Sequence, residues 1–167
     1  MEQYYRIANC NVKMNSFGYT EAMALPYGIP EPDTVHIVID TAQPYLKEAY
    51  PTLTGDSFEY LASGRDFYRK LRQFGGLMLH SSALVFEGKA YLFSADSGVG
   101  KSTHTGLWRQ IWGDERVRIL NDDKPAIRLE DGCWYAYGTP WSGKHGINLT
   151  DTAVQQNKIR QNPEALA

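Results

Sequence analysis

The residues best suited to chemistry lie in one short stretch, Ala95–Ser102, with the sequence Ala-Asp-Ser-Gly-Val-Gly-Lys-Ser. It matches the phosphate-binding pattern G-x-x-x-x-G-K-[S/T] except at the first position, where Ala95 replaces glycine. In this pattern successive backbone N–H groups converge on phosphate oxygens, the lysine reaches the β- and γ-phosphates, and the hydroxyl after the lysine binds Mg²⁺. The helix that follows directs its positive N-terminal end at the anion.

This stretch therefore predicts a site for ATP and Mg²⁺. The expected nucleotide contacts are Asp96, Ser97, Gly98, Val99, Gly100, Lys101, Ser102 and Thr103. Alanine at position 95 is tolerable if φ there is negative and costly if it is positive. The alternative is an ordinary strand-to-helix turn that happens to contain Gly-Lys-Ser.

A pair of aspartates, Asp122 and Asp123, follows the next apolar segment. Between Lys101 and Asn121 there is room for one helix, one turn and one short strand, so the pair is expected to return beside the phosphate loop. Adjacent residues of a strand face opposite ways, which allows two different tasks. One aspartate could bind Mg²⁺, and the other could accept the proton of an attacking hydroxyl. The alternative is a solvated turn, since Asn-Asp-Asp before Lys-Pro is also good turn composition.

Two further candidates are weaker. The glycine-rich segment Thr139–Gly146 could clamp a phosphate or substrate, with Lys144 the better cation and His145 the second, or it could be an exposed basic loop. His80 is either an ordinary core histidine or a group near the transferred phosphoryl. The remaining histidines and the two cysteines form no zinc-binding pattern.

The stretch from His80 to Asp123 resembles the C-terminal catalytic domain of HPr kinase/phosphorylase, and more distantly the nucleotide site of phosphoenolpyruvate carboxykinase. Three features carry the likeness: His80 opening a hairpin, the loop Asp96–Ser102, and the aspartate pair one helix later. The longer segment from Leu77 to Asn148 looks most like a bacterial group of HPr-kinase-like proteins of unsettled substrate.

The resemblance implies a role for each matching residue. Lys101 would bind the phosphates and Ser102 the Mg²⁺, while Asp122 would act as base and Asp123 as metal ligand, or the reverse. His80 would lie near the transferred phosphoryl group. The implied activity is transfer of the γ-phosphoryl group of ATP to a hydroxyl of an unknown protein or small-molecule acceptor. HPr kinases are hexamers, so a homo-oligomer is possible.

Three departures from the family keep other functions open. Ala95 replaces glycine, Thr103 stands where HPr kinase has an acidic residue, and the family's later signature stretch has no counterpart. A non-catalytic nucleotide-binding module is therefore the alternative, and a carboxykinase-like enzyme is the third choice.

Composition sets the wider limits. With 167 residues and 43% hydrophobic residues, the chain fits one domain, 1–167, with a real core. The net charge of -2 and the absence of a basic stripe argue against nucleic acid as the main partner. No apolar run could span a bilayer and the first residues do not look like a signal peptide, so no membrane role and a cytoplasmic location are expected.

The fold class expected is mixed α/β and strand-rich, with largely antiparallel or mixed sheets, as in the HPr kinase and carboxykinase group. Residues 1–62 read as strands and loops without a recognised motif, and 77–150 as the kinase-like core. Expected strands are Ile7–Met14, Val35–Asp40, Leu77–His80, Ser82–Phe86, Ala90–Phe93, Val117–Leu120, Pro125–Leu129 and Cys133–Tyr137. Expected helices are Ser63–Phe74, capped by Ser63, and Lys101–Trp112, with a short helix or frayed tail from Asp151.

Overall fold

The computed structural model describes residues 2–143, 146 and 149–150, together with the backbone of 154–155. Within that part of the chain the helices are α1 (Gly18–Ala24), α2 (Pro44–Ala49), α3 (Gly55–Leu71) and α4 (Lys101–Trp112). The first strands are β1 (Tyr4–Ile7), β2 (Cys10–Met14), β3 (Gly28–Ile29), β4 (Ile37–Ile39), β5 (Gly76–Met78) and β6 (Ser81–Phe86). The later strands are β7 (Lys89–Ser94), β8 (Val117–Asn121), β9 (Ala126–Glu130), β10 (Cys133–Tyr137) and β11 (Val154–Gln155).

The strands form three sheets, with orders β3-β1-β2-β4, β11-β10-β9-β5 and β7-β6-β8. Only the pair β2–β4 is parallel among the described strands, and the other pairs are antiparallel. The expected mixed α/β class with antiparallel and mixed sheets is therefore confirmed. Among the described residues, no helix is both long enough and apolar enough to cross a bilayer.

The N-terminal region differs most from expectation. The predicted strand Ile7–Met14 is broken by a turn at Ala8-Asn9, where both residues have positive φ (49° and 56°), and β1 and β2 form a hairpin around it. The proline-containing stretch Leu25–Pro32 contains a short 3-10 turn and β3, which pairs with β1. The assignment of 1–62 to strands and loops is wrong, because α1, α2 and the first half of α3 lie there.

Helix α3 begins at Gly55, eight residues before the expected start, and Ser63 lies inside it rather than capping it. The Ser63 hydroxyl donates back to the carbonyl of Tyr60 (3.2 Å). Periodicity missed this start because the buried face of α3 includes polar side chains, Glu59 and Asp66 among them, which break the apolar repeat. The expected end is correct, since Gly75 takes a left-handed conformation (φ 68°) after a final 3-10 turn.

The segment from β6 to β8, which carries the candidate phosphate loop, follows the secondary-structure prediction closely. The β6–β7 hairpin turns at Glu87-Gly88, and α4 spans the predicted residues and stops at Gly113 (φ 82°). Its apolar face is only partly covered. Trp108 packs against the rings of Phe86 and Tyr91, whereas Ile111 is 70% exposed.

A shared core fixes the N-terminal sheet relative to the second sheet. Side chains of β1 and β2 join one buried cluster with Phe67 of α3, Tyr137 of β10 and the loop residue Trp141. The Trp141 ring stacks on Phe67 (4.9 Å between centroids), and its indole N–H donates to Ser63 (3.1 Å). Trp141 thus anchors its loop and holds α3 against the segment that leads away from the aspartate pair.

Candidate functional site

The candidate phosphate loop spans residues 95–100, between the end of β7 and the start of α4. Gly98 and Gly100 have φ of 83° and 92°, a region in which a side chain would be strained. Ala95 is not among the residues with positive φ, so the departure from glycine at that position causes no backbone strain. The backbone therefore needs glycine at the two positions where the sequence supplies it.

The N–H groups at the start of α4 are not used by the described part of the chain. The first hydrogen bond of the helix joins the His104 N–H to the Gly100 carbonyl (2.8 Å). Residues 96–99 form a turn that directs the Val99 N–H toward the Asp96 carbonyl, whereas no described residue accepts a hydrogen bond from the amides of Gly98 and of Gly100 through Thr103. Free amides at a helix N-terminus, next to glycines with open space around them, form a suitable environment for an anion.

The Lys101 side chain folds back over the loop. Its ammonium donates to the carbonyls of Ala95 (2.9 Å) and Asp96 (3.0 Å). A phosphate bound by the loop would compete with these two neutral acceptors, and a charged acceptor makes the stronger hydrogen bond. Asp96, Ser97, Val99, Ser102 and Thr103 are all exposed, so a ligand can approach the loop.

Asp122 is tied to the first turn of α4 through two buried hydroxyls. Ser82 Oγ donates to Asp122 Oδ1 (2.7 Å) and lies 2.8 Å from Thr105 Oγ1. The Thr105 hydroxyl is also within hydrogen-bond distance of the Ser102 carbonyl (3.1 Å). This chain fixes Asp122 on the side of the sheet where the phosphate loop begins its helix.

Asp123 faces other partners. Its Oδ1 lies 3.4 Å from His80 Nε2, and its Oδ2 accepts a hydrogen bond from Lys124 Nζ (2.5 Å). The two aspartates are thus divided between two environments, as expected for adjacent residues at a strand end. The expectation that the pair returns beside the phosphate-loop helix holds for Asp122.

A buried asparagine sets the geometry of this turn. The Asn121 side-chain oxygen accepts the N–H groups of Asp123 (3.0 Å) and Lys124 (2.8 Å), while its amide donates to the Thr139 carbonyl (3.0 Å). Sequence reasoning overlooked Asn121, Ser82 and Thr105 as supports. The Asn-Asp-Asp sequence indicates a turn, but nothing in the residues around Ser82 or Thr105 indicates that they contact Asp122 or one another.

The described part of the Thr139–Gly146 segment is pinned close to Asp123. Tyr19 donates its hydroxyl to the Gly143 carbonyl (2.8 Å), and the Gly143 N–H donates to Tyr60 Oη (3.0 Å). A Cβ at Gly143 would lie only 3.0 Å from Asp123 Cβ. The predicted cations Lys144 and His145 lie outside the described residues.

The tyrosine that holds this segment stays a neutral phenol. Burial is the main cause that raises the pKa of Tyr60 to about 12, and the Asp123 charge raises it further. Tyr60 can therefore position groups by hydrogen bonding but does not act as a base near neutral pH.

The other histidines have structural partners. His104 packs edge-on against Phe93 (4.5 Å) and accepts from the Trp108 indole N–H, and His36 accepts the Asn11 N–H. No group of three or more His, Cys, Asp or Glu side chains in the described residues could hold a metal ion. A Mg²⁺ ion here would need ligands from water or substrate besides protein oxygens.

Comparison of the chain with known protein families, with curated proteins and with solved structures gave no match.

Proposed function

We propose that this protein binds ATP with Mg²⁺ at the loop before α4 and transfers the γ-phosphoryl group to the hydroxyl of an acceptor, as the resemblance to HPr kinase/phosphorylase implies. The observation that carries the proposal is the set of unused amides at Gly98 and Gly100–Thr103, at the start of a helix that Thr105 and Ser82 link to Asp122. An ordinary strand-to-helix turn has no need for a carboxylate held rigidly beside it.

The geometry supports one division of labour between the aspartates. Asp122 lies on the phosphate-loop side and, with the exposed Ser102 hydroxyl, offers the oxygen ligands that Mg²⁺ prefers. Asp123 lies beside His80, away from that link, and is better placed to accept a proton. This is the reverse of the assignment that makes Asp123 the metal ligand.

The reaction follows from these positions. The Asp123 carboxylate takes the proton of the acceptor hydroxyl while the hydroxyl oxygen forms a bond to the γ-phosphorus. The bond between that phosphorus and the β,γ-bridging oxygen breaks, and ADP leaves with the bonding electrons. Lys101 and the loop amides hold the phosphate charge, and Mg²⁺, when bound, neutralises charge on the β- and γ-phosphate oxygens.

Titration with ATP and Mg²⁺ by calorimetry tests the nucleotide site. Lys101→Ala should weaken binding by at least about 10-fold, the effect of losing about 1.4 kcal/mol of interaction. Lys89→Ala is the matched control, because Lys89 is an exposed lysine at the β6–β7 turn. Equal affinities of the wild type and both variants would contradict the proposal.

A transfer assay with γ-labelled ATP tests the chemistry. Asp123→Asn should abolish transfer and leave nucleotide affinity largely intact, whereas Asp122→Asn should also raise the Mg²⁺ concentration that ATP binding requires. Wild-type transfer rates in both variants would refute the roles given to the pair.

One observation favours a second candidate, a module that binds the nucleotide without transferring its phosphate. His80 lies 3.4 Å from one oxygen of Asp123 and Lys124 donates to the other, so an acceptor hydroxyl would have to compete with two neighbouring side chains for this carboxylate. Saturable ATP binding without label transfer or hydrolysis would establish this function instead.

A further inference from the structure

Two adjoining cavities lie between α3 and the Asp123-Lys124 turn. One has a volume of about 260 Å³ and the other about 570 Å³. Tyr60, Leu61 and Lys124 line both, so these three side chains form the boundary between them. His80 lies in the wall of the smaller cavity, and Asp123 lies in the wall of the larger one. Both cavities therefore lie beside Asp123, the residue proposed to take the proton of the acceptor hydroxyl.

The wall of the smaller cavity is mainly aromatic and apolar. Besides Tyr60 and Leu61 it is lined by Tyr50, Tyr68, Met78 and Leu79. Such a wall favours a ligand with an apolar or aromatic body, while the phenol hydroxyls offer polar contacts. The volume is at the lower limit of typical ligand pockets, so it fits a molecule of amino-acid size rather than a nucleotide.

The charge in the smaller cavity is positive. Arg65 lines it, with its guanidinium carbon 5.9 Å from the centre of the Tyr50 ring. Within the described residues Arg65 has no carboxylate in ion-pair distance, and no acidic side chain lines this cavity. The larger cavity, by contrast, is lined by Asp56 as well as Asp123. An anionic group of a ligand is therefore favoured beside Arg65, whose fork of donors matches a carboxylate.

The smaller cavity also borders the proposed catalytic pair of His80 and Asp123. His80 lines it and also lies 3.4 Å from Asp123 Oδ1. A small ligand with its carboxylate toward Arg65 would share this cavity with His80, the residue that contacts Asp123. We infer that the acceptor is a small hydroxylated carboxylate with an apolar or aromatic body, held in the smaller cavity with its anionic group on Arg65. The acceptor role rests on the proposed phosphoryl transfer, whereas the binding does not.

Three hydroxy acids serve as probes: 3-phenyllactate, 4-hydroxyphenylacetate and 6-hydroxyhexanoate. Binding is measured by ligand-observed NMR, with the primary amide of each probe as the uncharged control. We expect at least one acid to bind and its amide to bind at least about 10-fold more weakly. Arg65→Gln should lower the affinity for the acid by a similar factor. Each of these controls removes a charge-assisted contact. Arg72→Gln, at an exposed arginine that does not line the cavity, should leave binding unchanged.

A second measurement separates this inference from the nucleotide proposal. With labelled ATP and Mg²⁺, an acid that binds should accept the label, and its deoxy analogue, such as 3-phenylpropanoate for 3-phenyllactate, should bind without accepting it. Binding of ATP with no Arg65-dependent binding of any acid would overturn the inference and leave the nucleotide site standing. Arg65-dependent binding of an acid to a protein that does not bind ATP would refute the proposed kinase function and the acceptor role. Both ligands bound without transfer would overturn the acceptor role alone.

Discussion

The Glu59 side chain makes a quantitative prediction about stability. It is 1% exposed in the middle of α3, and neither carboxyl oxygen has a hydrogen-bond partner in the described structure. Burial is the main cause that raises the pKa of Glu59 from 4.5 to about 7, and the nearby Asp56 charge raises it further. The nearby Thr20 hydroxyl opposes this shift and outweighs the Asp56 charge, but it does not reach hydrogen-bond geometry, and burial remains the largest effect.

The direction of the pH dependence follows from proton binding. Between about pH 4.5 and about pH 7 the folded protein keeps the Glu59 proton and the unfolded chain loses it. The folded state then binds more protons, so the free energy of unfolding falls as pH rises through this window. The stabilisation is fully present below the unfolded pKa and is lost by the folded pKa. A shift of this size corresponds to about 3 kcal/mol.

Glu59→Gln removes the titration with little change in shape. Urea unfolding followed by tryptophan fluorescence, in which Trp141 reports on the core beside α3, should show the variant more stable than the wild type at about pH 8, by up to about 3 kcal/mol. The two proteins should converge below the unfolded pKa of 4.5. Glu48→Gln, at an exposed glutamate of α2, should follow the wild type throughout. Parallel pH profiles for the wild type and Glu59→Gln would refute the reasoning.

Two other predictions concern the supports of the site. A Cβ at Gly64 would lie 2.9 Å from Trp141 Cδ1, so Gly64→Ala should lower the free energy of unfolding by about 1–3 kcal/mol. Gly106 lies in open space within α4, so Gly106→Ala should raise the free energy of unfolding by up to about 1 kcal/mol. If urea unfolding showed that both variants are more stable than the wild type, the close packing at Gly64 would be contradicted. Ser82→Ala removes the hydroxyl that holds Asp122, so calorimetry should show a need for about 10-fold more Mg²⁺ for ATP binding. Unchanged affinity without Mg²⁺ is the internal control, and an unchanged Mg²⁺ requirement would remove Ser82 from the site.

Much of the secondary structure from β6 to β10 was predictable because its signals are local. Positive φ occurs at the Glu87-Gly88 turn, at Gly98 and Gly100 before α4, and at Gly113 after it, and the residue types at these positions predict that conformation. The N-terminal half was predicted poorly. Its hairpin turn at Ala8-Asn9 contains no glycine or proline, and α3 buries Glu59 on the face that should have been apolar.

The amino-acid sequence by itself determined the short-range parts: a strand, a glycine-containing loop and a helix that begins with Lys101. The tertiary structure alone decided what surrounds them. The Ser82–Asp122 bond joins residues 40 positions apart, and the Tyr19–Gly143 bond joins residues 124 positions apart. Such contacts depend on how sheets and α3 pack into a common core, and that packing is a property of the whole chain rather than of any local pattern. The separate environments of Asp122 and Asp123 therefore emerge only when the chain is folded.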